Sequence, residues 1–141
     1  MKPPILVVSD GSTVASYERV EQAEGNLEAI DVLDGVFQVF DADGRALHVT
    51  AASDNGPVVI ADAPDLAFEP ERLSRPLRKY LEAVRSVRPE LLDMTLVELS
   101  SANLDRLVSE LHLVDERHRE RSMANRLRRF ASNVVARLHR R

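Results

Sequence analysis

Three stretches of this chain have residue types and spacings that could do chemistry. The first is Val7-Val8-Ser9-Asp10-Gly11-Ser12-Thr13, an apolar run that ends in a small polar turn. Turns of this kind let backbone amides cradle a phosphate. The second is Asp41-Ala42-Asp43-Gly44, whose two carboxylates have the spacing that opens a calcium loop. Such a loop needs further oxygen ligands and an acid at its twelfth position, but Arg45 stands fifth and Ala52 twelfth. The third is His112, Glu116 and His118, three metal-ligand types within seven residues. It lacks the His-Glu-x-x-His pattern, and Arg117 and Arg119 flank it, so it reads as a polar helix surface. There is no cysteine, which excludes thiolate chemistry, and no Gly-x-Ser-x-Gly elbow to support a nucleophilic serine. The expectation is a protein with no catalytic residues, no metal and no cofactor.

The stretch ILVVSDGSTVAS resembles the N-terminus of the universal stress proteins, over about a dozen residues. That resemblance implies a nucleotide-binding α/β fold with Asp10 near the nucleotide. The family's second, glycine-rich phosphate loop lies late in the chain, and this sequence has no glycine after Gly56. A nucleotide-binding, stress-type protein therefore stands as a third reading.

Charge directs attention elsewhere. Residues 1–70 hold 13 acids and three bases, a net of −10, and residues 117–141 hold one acid and nine Arg, a net of +8. The two ends could face each other within the fold or across a dimer, or each could meet its own partner. The stretch YERVEQAEGNLEAIDVLDGVFQVFDADGRAL, residues 17–47, resembles small uncharacterised bacterial proteins, some of them like the immunity proteins of toxin–immunity pairs. Val20, Ala23, Glu24, Leu27, Glu28, Ile30-Asp31-Val32, Asp34-Gly35 and Phe40 to Arg45 carry it. It implies a non-enzymatic binding protein that neutralises a basic partner such as a toxin. Glu24, Glu28, Asp31, Asp34, Asp41 and Asp43 are the candidate contact acids, because charge complementarity speeds such encounters. The alternative is a regulatory or nucleic-acid-associated protein that uses Arg126, Arg128, Arg129 and Arg137 to hold anions in nucleic acid or on an anionic surface.

The elements that must position these residues follow from periodicity. Ile5 to Val8 reads as a short strand and Asp10-Gly11 as a turn. From Tyr17, Val20, Ala23, Leu27 and Ile30 recur at helical spacing with Glu18, Glu21, Glu24 and Glu28 between them, which predicts one helix of about three turns. Residues 36–52 alternate about Asp43-Gly44, the pattern of a β-hairpin. Val58 to Ile60 is a further strand. Pro70 opens a helix that Pro89 closes, and Thr95 with Glu98 has the spacing of a capping box. Leu91 to Leu99 is apolar enough to be buried. Ser101 fits the cap of the next helix, with Leu104, Leu107, Val108, Leu111 and Val114 as its stripe. Residues 115–122 hold no apolar side chain, so the helix either continues there exposed or ends. A last segment puts Leu127, Phe130, Ala131, Val134 and Leu138 on one face, expected to dock on its own domain. Strands followed by helices predict a single α+β domain over 1–141: a sheet-rich acidic part at 1–63 with one early helix, and a helical part at 70–141. No apolar run approaches the roughly 18 residues that span a bilayer, and no secretory signal is read at the start. With no cysteine, a cytoplasmic protein is expected.

Overall fold

The computed structural model describes residues 1–10 and 13–138, with side chains described through Phe130. The chain is α+β. Among the described residues there are five strands, β1 (Ile5–Ser9), β2 (Thr13–Tyr17), β3 (Phe37–Phe40), β4 (Ala46–Ala51) and β5 (Val58–Asp62). They form one antiparallel sheet in the order β2-β1-β3-β4-β5. Between β2 and β3 lie α1 (Val20–Asn26) and α2 (Ala29–Leu33); after the sheet come α3 (Glu71–Val87), α4 (Leu96–Ser101) and α5 (Leu104–Leu138).

Strand β1 is an unbroken apolar run because it is buried on both sides. Leu6 and Val8 face Leu73, Leu77, Leu81 and the start of α5, in a core that also takes Val14 and Phe40. Ile5 and Val7 face Ala23 of α1, together with Val39, Leu47 and Ile60. Three layers result: α1 and α2, the sheet, then α3 to α5.

Two turns require glycine. Gly35 has φ 71 and ends α2 in a Schellman motif, with its amide donating to Val32 and the Val36 amide to Asp31. Gly44 has φ 82 in the β3–β4 turn, and a Cβ there would lie 2.7 Å from Leu104 Cδ2 and 3.3 Å from the Pro70 backbone.

The early helix departs from the expectation. Residues 13–17 are strand, paired with β1 from Ser9↔Thr13 to Ile5↔Tyr17. Asp10 takes φ 51 to turn the chain back, and Val14 gains burial in the core. The helical spacing that follows is split, because Leu27 and Glu28 are extended between α1 and α2. The other elements lie where expected, including α3 ending before Pro89 and the Thr95–Glu98 capping box. Ser101 is not the cap of α5. Its hydroxyl bonds back to Val97 and Glu98 carbonyls, while Asn103 Oδ1 accepts the Arg106 amide at 3.0 Å. Of the segment 91–99, Leu91, Leu92, Met94 and Leu99 are buried and Leu96 and Val97 are exposed.

Helix α5 joins the body and leaves it. Leu107, Leu111 and Val114 are in the core. The buried Glu110 accepts the Asp93 amide at 2.6 Å and the Met94 amide at 2.9 Å. Arg117 pairs with Asp93 and Arg121 with Glu90, each at 2.8 Å. Beyond Arg121 no described side chain is buried.

Candidate interaction surfaces

The six candidate acids do not form one face. Asp41 is 1% exposed. Its Oδ1 accepts the amides of Asp43 and Arg45, both at 3.0 Å, and its Oδ2 accepts the Lys2 amide at 3.2 Å. This carboxylate shapes the β3–β4 turn, and burial withdraws it from any contact face. Asp43, beside it, pairs with Lys2 Nζ at 3.0 Å. Glu24 is also committed: its Oε1 accepts the Ile60 amide of β5 at 2.8 Å. Glu28, Asp31 and Asp34 remain together on α2, around Ile30 and Leu33, which are 46% and 50% exposed.

The basic end differs from its expectation in another way. Residues 115–122 are continuous helix, so α5 runs on past the body. Arg126, Arg128 and Arg129 are exposed on it; the side chain of Arg137 lies outside the described residues. Met123, Leu127 and Phe130 stand at i, i+4 and i+7, hence on one side of the helix, and are 63%, 66% and 69% exposed. The expected docking of this stripe on its own domain does not occur over the described residues. Ala131, Val134 and Leu138, the rest of the stripe, have side chains outside the described set.

The opening turn is a hairpin turn. Asp10 is exposed, and Gly11 and Ser12 lie outside the described residues. His112 and Glu116 stand 3.6 Å apart on the α5 surface, and no cluster of three metal-ligand residues occurs among the described residues.

A cleft that periodicity did not announce lies between β2 and α5. Ser16 Oγ donates to Asp115 Oδ2 across it. Burial pushes the Asp115 carboxyl above its usual range, against the opposing pull of Ser16, Arg119 and the two nearby histidines. The Tyr80 hydroxyl beside it is also raised, by burial and then by the Asp115 charge. The cleft encloses about 590 Å³, with α1 contributing Gln22 and Asn26 and α5 contributing His112, His118 and Arg119.

Among the described residues no helix is long and apolar enough to cross a membrane. No protein-family model, curated protein or solved structure matches this chain.

Proposed function

We propose that this chain is a non-enzymatic binding protein that holds a partner protein with the projecting half of α5. One observation carries the reading: Met123, Leu127 and Phe130 form a row at i, i+4 and i+7 that stands in solvent. An amphipathic helix binds a groove through anchors at this spacing. Burying such side chains is worth roughly 1.5–3 kcal/mol each, so a matching groove is a strong competitor to water. Arg126 borders the row while Arg128 and Arg129 lie toward the other side of the helix, and the positive charge they bring favours a groove with an acidic rim. Phosphate contacts alone would need the arginines but not the row.

The test compares the full chain, a chain lacking residues 122–141 and Leu127→Asp for proteins that co-purify with each from host cells. A partner retained only by the full chain supports the reading. Equal retention by all three, or binding confined to duplex DNA or phosphatidylglycerol vesicles, counts against it.

A second reading has its own support. The α2 corner places Ile30 and Leu33 within Glu28, Asp31 and Asp34, an apolar centre with an acidic rim. That surface suits a basic protein, as an immunity-type inhibitor of a toxin would require. It predicts that Leu33→Asp abolishes capture of the partner while removal of residues 122–141 leaves it intact.

A further inference from the structure

The two borders of the sheet are treated differently. Among sheets, an open edge is a template for another strand and is normally blocked. At β5 the block is visible, because Glu24 reaches over from α1 to take the Ile60 amide. Strand β2 is the other border. Alternate residues of an edge strand turn their amides and carbonyls away from the neighbouring strand. Among the described residues no backbone group outside β1 pairs with those of β2.

This open edge lies in the cleft. Every successive residue from Thr13 to Tyr17 lines it. A cleft over one face of a strand would be lined by alternate residues only, since neighbouring side chains point to opposite sides. The edge itself therefore opens into the space. Helix α1 borders it with Gln22 and Asn26, α3 with Tyr80, and α5 with His112, Asp115, His118 and Arg119; a strand added at this edge would lie about 4.7–4.9 Å from β2.

The lining has a direction. Ser16 bonds to Asp115, and His112 also borders a shoulder of Pro3, Pro4 and Val108 beside Glu18, just past Tyr17. Helix α5 thus runs opposite to β2, which brings His118 and Arg119 to the Thr13 end. Arg119 donates to the Asp115 carbonyl at 3.3 Å, and its charge also acts on the Asp115 carboxylate.

We propose that the β2 edge takes an extended peptide segment of a partner protein as a sixth strand, with an acidic side chain against His118 and Arg119 and an apolar one on the Pro3–Pro4–Val108 shoulder. Main-chain hydrogen bonds to β2 supply affinity, and the two ends supply specificity. A second copy of this chain fits the same edge poorly, because its own α1 and α5 would arrive with its β2. The cleft ends at Arg119, before the projecting part of α5, so this inference and the function proposed above can fail separately.

The experiment is a selection of displayed random heptapeptides against the full chain, followed by fluorescence polarisation with the selected peptides in synthetic form. Acidic, β-forming peptides are expected. Their binding is lost when alternate peptide amides are N-methylated, is weakened about tenfold or more by Arg119→Glu, and is unchanged when residues 122–141 are removed. Hydrogen exchange in the free chain shows alternate β2 amides unprotected, and the peptide protects them. Failure to select a peptide, tolerance of N-methylation, or indifference to Arg119→Glu would each overturn the proposal. So would protection of β2 that rises with protein concentration alone, which would assign the edge to a second copy.

Discussion

Glu24 and Ile60 are 36 residues apart, and the carboxylate of one accepts the amide of the other at 2.8 Å. The bond ties α1 to the outermost strand and gives an edge amide an acceptor that no second chain can displace cheaply. Glu24→Ala is expected to cost about 1 kcal/mol in chemical denaturation and to leave β5 ready to pair. Sedimentation velocity should show association that rises with concentration in the variant and not in the parent. A variant that loses stability yet stays equally monomeric would mean that the edge is protected by something else.

Asp41 offers a sharper test. It is buried, and three backbone amides converge on it. Asp41→Ala leaves those donors short of an acceptor, so the loss should be about 3 kcal/mol in urea unfolding. Asp43→Ala removes only an exposed ion pair with Lys2 and should cost well under about 1 kcal/mol. Equal effects at the two positions would contradict the structural role given to Asp41.

Gly44→Ala meets two penalties at once, a left-handed φ of 82 and a Cβ 2.7 Å from Leu104 Cδ2. The expected loss is about 2–3 kcal/mol. Pairing it with Leu104→Ala should return part of that loss if the close approach contributes. A fully additive double variant would leave backbone strain as the whole cause.

Asp115 sets a pH dependence with a definite sign. Burial, the leading cause, raises its folded value above the ordinary 3.8. The folded state then binds the proton more tightly than the unfolded chain. The charged group costs stability above the raised value, and the cost fades as pH falls through that value toward 3.8. Asp115→Asn keeps an acceptor for Ser16 and removes the charge. It should gain under about 1 kcal/mol at neutral pH, after allowance for its remaining solvent. The gain should shrink on acidification. A gain that is constant with pH would show that charge is not involved.

How far the sequence leads can be judged element by element. The β3–β4 hairpin was legible because Asp43-Gly44 states its turn chemistry locally, and α3 because Pro70 and Pro89 bracket its stripe. Strand β2 was not, since Thr-Val-Ala-Ser-Tyr carries a single buried residue, Val14, and no apolar alternation. Its pairing with β1 decided the matter. The break at Leu27 was hidden because the periodicity runs across it. Asp41 looked like a surface acid. The one available signal was its place two residues before Asp43, where an Asp oxygen can brace its own turn. The Ser16–Asp115 contact spans 99 residues and leaves no local trace at all. For α5, spacing revealed the apolar row, but a row reports which side is apolar and never what covers it.

Helix α5 is continuous from the core to Leu138, the last described residue. The 17 residues beyond Arg121 extend it by roughly 25 Å at 1.5 Å per residue. Since the same helix is clamped by Glu110, Asp93 and Glu90, whatever seizes its far end also inherits a bearing on the α+β body. On the function proposed above, the helix would act as a bracket that sets the angle and standoff of a bound partner relative to the body.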